Sequence, residues 1–449
     1  MTEGALRPER AFVSHAPEPK PTARGGGPAW VYAYIVVQLV CQLCLLVPEL
    51  KGVRVVVRTA AFGTSLLFLV VAPRGTPRGG AVRVLALVAL TIFLIAMFNP
   101  LGGDPLAVVA HFTFCVAVIS PLFWVGRLDL PTGTLGRLLL LLWTFHSLGA
   151  LVGVLQVYFP AYFLPDLATL MQRTNLLIRL SSGDWVPRPT GLTDAPGGAS
   201  VDGIYAALLG TGVTMLRPFR FARFLGITST GLGLMCLYLC EVRAEVVVAI
   251  VSFVSLIALF VWSGRASRGA LLLILLGAVG FVGFYFASGV GGDMMKTRLE
   301  SLIAADPGTV YYNSRGNMLE QAFVELLPRY PLGAGLGHWG MMNSYFGSAE
   351  QEIGSEIQVG GWVLDGGLPL LLVYPAAVLA AIVYACRSSR TPDPTQATWA
   401  SIVAAYSVGS LALCFSYPVF MGTAGLEFWL TNAVLMQEIR LRPLVLRRA

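Results

Sequence analysis

Charge is what this sequence has least of: 12 % of its 449 residues are charged, against about 25 % in ordinary soluble proteins. With 56 % hydrophobic residues and a mean hydropathy of +0.72, a water-soluble globule is excluded. Metal-binding signatures are missing as well, since there is neither HExxH nor a pair of Cys-x-x-Cys clusters. The seven cysteines (Cys41, Cys44, Cys115, Cys236, Cys240, Cys386, Cys414) all fall in apolar segments. A thiol there behaves as a small hydrophobe, so neither a disulfide nor a bound metal is expected. No internal repeat is visible, nor the paired broken half-helices of inverted-repeat transporters, which weakens a transporter reading.

What is present is a succession of apolar runs of about 20 residues, each long enough to cross about 30 Å of hydrocarbon. They predict an all-α multi-pass membrane protein with twelve spans, at 29–49, 55–73, 82–98, 106–125, 137–159, 201–216, 221–240, 244–263, 269–288, 361–385, 397–416 and 421–438. Residues 1–28 are polar and rich in Pro, Gly and Arg, with no apolar core and no cleavage site. They read as a disordered cytoplasmic tail and not a signal peptide. Residues 29–440 form a single transmembrane domain, and 441–449 a basic cytoplasmic tail.

A net charge of +7 and a pI near 9.1 would point to nucleic acid in a soluble chain, but here the cations crowd into alternate connections. One set carries Arg74, Arg78 and Arg83, Arg127 and Arg137, Arg217, Arg220 and Arg223, Arg265 and Arg268, and Arg387 and Arg390. The other set is short and nearly free of cations, apart from Lys51, Arg54, Arg243 and two long loops at 160–200 and 289–360. By the positive-inside rule both termini are cytoplasmic and the long loops face outward.

Cations in outward connections run against that bias and need a reason. In the first long loop, Trp185-Val-Pro-Arg188-Pro-Thr-Gly191 leads through Asp194 and Gly197-Gly198 to the sixth span. It reads as a turn-rich connector or as a path into an anion-favouring helix N-terminus. Arg243 lies in Cys240-Glu241-Val-Arg243-Ala-Glu245, either as an interfacial Arg paired with a neighbouring Glu or as a grip on phosphate. The second long loop holds Lys296 and Arg298, then Asn313-Ser314-Arg315-Gly-Asn-Met318-Leu319 and apolar residues at helical spacing until Pro331. This predicts an amphipathic helix capped by Asn313 or Ser314 with Arg315 at its start. Pro331-Leu-Gly333-Ala-Gly335-Leu-Gly337-His338 follows, then Glu350, Glu352 and Glu356, then Asp365-Gly366-Gly367 entering the tenth span. His111 and His146, inside apolar spans, read as hydrogen-bonded core residues.

Taken in order, these stretches resemble the O-antigen ligase and O-antigen polymerase family of bacterial inner-membrane glycosyltransferases. Arg315 through Leu319 match the family's Arg-x-x-x-Leu element in a large outward loop. Pro331, Gly333 and Gly335 match its Pro-x-Gly-x-Gly segment, and Asp365, Gly366 and Gly367 its acidic entry to the next helix. Arg243 resembles the family's Arg at an outward helix junction, and Arg188 through Gly191 the stretch preceding the span after the smaller loop. Relatives commonly carry a His nine residues before that acidic residue, where this chain has Glu356.

The resemblance implies transfer of a glycan from an undecaprenyl-diphosphate carrier to a sugar hydroxyl on the outer face of the inner membrane, with no metal and no cofactor. Polymerisation of O-antigen, capsule or exopolysaccharide repeat units is the leading expectation. A ligase joining glycan to a lipid acceptor, or a lipid or polysaccharide transporter, is the alternative. In that reading Arg315 and Arg243 hold the diphosphate, and Glu356 or His338 removes the acceptor proton. Arg188, Arg298, His338 and Asp365 make supporting substrate contacts. Membrane lipid and other polysaccharide assembly proteins are the implied partners, and nucleic acid is not.

Overall fold

The computed structural model describes residues 27–73, 80–164, 177–195, 197–216, 219–300, 306–348 and 352–439. The two expected tails lie outside the described residues, except that Gly27 and Pro28 already belong to the first helix. The chain is mostly helical. Its long helices are α1 (Gly27–Cys44), α2 (Arg54–Val71), α3 (Gly80–Ala96), α4 (Pro105–Ile119), α5 (Thr134–Tyr158), α6 (Ala199–Leu216), α7 (Arg220–Cys240), α8 (Arg243–Trp262), α9 (Ala266–Glu300), α10 (Gln358–Ser388), α11 (Pro394–Leu413) and α12 (Thr423–Glu438).

Among the described residues, nine apolar helices are long and apolar enough to cross a membrane: α1, α2, α4 prolonged by short turns to Arg127, and α5 to α10. Helix α3 has 17 residues. The last two helices, though expected as spans, are more polar: α11 carries Gln396, Thr398, Ser401, Ser407 and Ser410, and α12 carries Glu427, Thr431, Asn432 and Gln437. Nearly all of these side chains are buried, and they bond to one another or to nearby backbone, as Asn432 Nδ2 does in donating to Ser407 Oγ at 3.0 Å. Helices surrounded by other helices need satisfied polar groups and not maximal hydropathy.

Contacts between connections define the threading. Links after odd-numbered helices meet at one end: Arg54 pairs with Asp194 at 3.3 Å, Asn99 Nδ2 donates to the Gly333 carbonyl at 3.0 Å, and the Tyr311 hydroxyl donates to the Phe415 carbonyl at 3.0 Å. Links after even-numbered helices meet at the other. There Arg83 donates to the Leu122 carbonyl at 3.1 Å, Arg265 to the Thr391 carbonyl at 3.2 Å, and Glu438 accepts from the Gly133 and Leu135 N–H groups at 2.7 and 2.6 Å. An alternating up-and-down path through the bundle follows. Helices α6 and α7 pack backbone to backbone, because Gly203 and Gly210 face Gly233 and Gly226 with no room for a Cβ.

Three features depart from the expected pattern. The first long loop contains a small antiparallel hairpin, β1 (Leu177–Arg179) and β2 (Trp185–Pro187). Its signal is the Ser181-Ser-Gly183-Asp184 turn, with Gly183 at φ +93°. The amphipathic helix begins at Pro307 and runs through Arg329 as consecutive helical turns. Neither Asn313 nor Ser314 caps it: Asp306 does, accepting from the Gly308 and Thr309 N–H groups at 3.3 and 3.0 Å, ahead of a proline at the first helical position. Those bonds, led by the Thr309 hydroxyl, hold the Asp306 carboxyl below the usual range. Asp followed by Pro is the better start because the ring supplies helical φ and has no N–H to satisfy.

The third departure concerns Asp365. Its carboxylate is 1 % exposed, accepts from Trp339 Nε1 at 2.8 Å and lies 3.3 Å from His111 Nε2. Just beyond it α10 breaks at Gly367 (φ +59°, ψ −148°). The break admits the Pro331–Gly335 segment: Ala334 N–H donates to the Leu364 carbonyl at 2.7 Å and Leu368 N–H to the Pro331 carbonyl at 2.9 Å. The two glycine motifs therefore lock against each other. A Cβ at Gly367 would land on the Pro331 carbonyl, in a backbone region nearly confined to glycine. Gly367→Ala is expected to cost at least about 1–3 kcal/mol, read as a lowered melting temperature of the purified protein. Gly277→Ala, where a Cβ meets nothing within 4 Å, is the control and should melt no lower than the parent.

Candidate functional site

At the odd-link end lies a cavity of about 770 Å³. Four separate segments build it: Arg188 after the hairpin, Glu241–Val248 at the α7–α8 junction, Val310–Arg315 of the amphipathic helix, and Ala412–Tyr417 at the end of α11. Three arginines and two glutamates line it, a formal balance of 3 − 2 = +1, against an apolar side that includes Val247, Ile250 and Phe415.

Each arginine is positioned by a distinct device. Arg188 follows β2, and the next residues are clamped by Gln156 of α5. The Gln156 Oε1 accepts from Thr190 and Gly191 N–H at 2.8 and 3.0 Å, and its Nε2 donates to the Gly191 carbonyl at 3.3 Å. Arg243 is the first residue of α8, at the end of the helix whose dipole favours an anion. The junction before it is two residues long, Glu241 and Val242, tighter than its sequence suggests. Among the described residues Glu241 is the one non-glycine with positive φ, 53°. A left-handed non-glycine residue costs roughly 1–2 kcal/mol, and such strain concentrates at functional sites. Arg315 sits in a wide helical turn, Tyr312–Gly316, another feature frequent at such sites. Its guanidinium pairs with Glu356 at 2.5 Å, the two side chains being 37 % and 58 % exposed.

The surrounding hydroxyls are held neutral. Burial raises the affinity of Tyr311 for its proton, and burial does the same for Tyr417, with Arg58 pulling the other way.

Of the residues singled out from sequence, Arg188, Arg243 and Arg315 share the cavity and Glu356 meets it through Arg315. Arg298 is on the last turn of α9, past the break at Gly292, and its side chain lies outside the described residues. His338 and Asp365 do not line the cavity. The His338 Nε2–H donates to the Leu101 carbonyl at 2.7 Å, and Asp365 is sealed between Trp339 and His111. These contacts brace the glycine segment against its neighbours. Sequence reasoning missed the α11–α12 link with Tyr417, which carries no local signal. It read Glu241 and Glu245 only as neighbours of Arg243, although two carboxyls flanking an arginine in an apolar background were signal enough. No protein-family model matches this chain, and no curated protein matches it in sequence.

Proposed function

We propose that this protein is a polyprenyl-diphosphate-dependent glycan transferase of the O-antigen polymerase and ligase type, extending polysaccharide repeat units at the outer face of a bacterial inner membrane. In this reading the twelve helices all cross the bilayer, both termini are cytoplasmic, and the arginine cavity opens outward. Support for that orientation comes from the opposite end of the bundle, where Arg83, Arg127, Arg265 and Arg268 gather and donate to backbone or hydroxyl oxygens of links and helix ends. The observation that carries the function is the meeting of Arg188, Arg243 and Arg315, drawn from three distant stretches, beside an apolar wall.

Chemistry follows from the charge on the leaving group. When the bond between the sugar C1 and the diphosphate oxygen breaks, negative charge grows on the diphosphate, and fixed cations lower the barrier by stabilising it there. Guanidinium is suited because its fork donates two parallel hydrogen bonds to phosphate and stays charged at any working pH. The N-terminus of α8 adds the positive end of its helix dipole. The apolar wall receives the first part of the lipid chain, while the glycan remains in water. In the resting protein Glu356 occupies Arg315, so the arriving diphosphate exchanges with a carboxylate instead of shedding a full hydration shell.

Purified protein in nanodiscs, supplied with an undecaprenyl-diphosphate-linked repeat unit and no nucleotide, is expected to yield longer glycans and free undecaprenyl diphosphate. Absence of any lengthened product from protein that is folded would sink the reading. In the same assay Glu356→Gln should keep turnover and bind undecaprenyl diphosphate up to about fivefold tighter, since an exposed ion pair is worth about 0.2–1 kcal/mol. Complete loss of turnover in that variant would instead make Glu356 the acceptor's base.

A further inference from the structure

Transfer to a hydroxyl needs a group to take the hydroxyl proton, and neither residue expected from sequence is placed for it. Glu356 is engaged by Arg315 and faces solvent, and His338 donates to Leu101 away from the cavity. The cavity itself holds a better placed group. Glu245, on the first turn of α8 two residues beyond Arg243, lines it while being 6 % exposed. Its Oε2 is buried and has no hydrogen-bond partner among the described residues. A buried polar atom without a partner costs about 1–3 kcal/mol, and a native structure that retains one needs a reason for it. Neighbouring side chains do not supply one, because no ion pair is formed to Glu245 among the described residues.

We propose, resting on the glycan-transfer reading above, that Glu245 is the base that accepts the proton of the attacking sugar hydroxyl. The acceptor oxygen forms a bond to C1 of the donor sugar as the bond from C1 to the diphosphate oxygen breaks. The bonding pair leaves with the diphosphate, which Arg243 and Arg315 receive, and the hydroxyl proton passes to the Glu245 carboxylate. Charge is conserved, since one carboxylate is neutralised as one phosphate oxygen becomes anionic. With Arg243 and Glu245 on the same helical turn, one rigid element carries both the cation for the leaving group and the acceptor for the proton. The acceptor hydroxyl then supplies the hydrogen bond that Oε2 lacks among the described residues. Glu241, held in its strained conformation one turn earlier, closes the same wall.

The test separates binding from turnover in the full-length protein in nanodiscs. Undecaprenyl diphosphate is the binding probe and the lipid-linked repeat unit the substrate. Glu245→Gln is expected to lower turnover about 100- to 10,000-fold, the span usual for general-base groups, while the Kd for undecaprenyl diphosphate stays within about twofold. Turnover at the parent rate would overturn the assignment. Should that variant fail to fold, Glu245→Ala with added formate decides: recovery of turnover supports the base, and no recovery in folded protein overturns it. Arg315→Ala and Arg243→Ala, run alongside, keep the two conclusions apart. If they lose activity while Glu245→Gln does not, only the base is wrong. If they too are active, the transfer reading itself falls.

Discussion

Arg315→Ala is expected to lower the rate of glycan transfer about 100- to 1000-fold, the effect of removing one main electrostatic donor, about 2.7–4 kcal/mol, while the protein remains in the membrane at its usual level. The asymmetry between the two effects is the point. Arg315 is more than a third exposed and its ion-pair partner Glu356 is more exposed still, so the folded state loses little when the pair is broken. The transition state loses a guanidinium beside the departing diphosphate, in a cavity whose apolar side limits screening by water. Arg243→Ala should behave alike, and Arg315→Lys should fall between, because an ammonium keeps the charge but not the two-pronged geometry. In cells the measurement is polymer length on a gel together with the pool of lipid-linked single units. Short polymer with accumulating units is the expected outcome. Polymer of parent length from both alanine variants would remove these arginines from the site.

His146→Ala, by contrast, is expected to destroy the fold and leave little protein in the membrane. His146 of α5 has Nδ1 2.7 Å from Asp202 Oδ1 and Nε2 3.7 Å from Glu427 Oε1, and its ring stacks on Tyr205 with centroids 4.1 Å apart. The two carboxyls are 1 % and 2 % exposed. Deleting the imidazole strands both acids in the middle of the bundle and opens a void between α5, α6 and α12. Breaking a buried pair of this kind costs about 3–5 kcal/mol, a large part of the about 5–15 kcal/mol that holds a typical protein folded. Asp202 Oδ2 also accepts from Leu192 N–H at 3.4 Å, so the damage reaches the segment carrying Arg188. The check is the melting temperature of detergent-solubilised protein; a parent-like value for His146→Ala would refute the argument. The less drastic His146→Gln, which retains hydrogen-bonding groups, should melt between the two.

The helices were legible in the sequence because their cause is local. A run such as Val246–Val261 is apolar on every side, and no distant contact is needed to make it helical. Start points were less legible: the choice between Asn313 and Asp306 as a cap depends on which backbone N–H groups lack partners, and only the continuous path from Pro307 to Arg329 decides it. The candidate site divides the same way. Arg188, Arg243 and Arg315 stood out because they sit in the set of links that is otherwise nearly free of cations. Their sharing of one cavity did not stand out, for nothing in three short motifs encodes the distance between them. Asp365 and His338 show the reverse. A polar residue beside glycines reads as a ligand contact in sequence, yet here the polar groups satisfy Trp339 Nε1 and the Leu101 carbonyl, which lie 26 and 237 residues away in the chain.

Hydropathy, a property summed over short windows, was enough to establish a mostly helical architecture with apolar helices long enough to cross a membrane. Which carboxyl lines the cavity and which one bolts two loops together was left to tertiary packing. That choice turns on whether a buried oxygen finds a partner from a remote segment, as Asp365 does, or finds none among the described residues, as Glu245 Oε2 does.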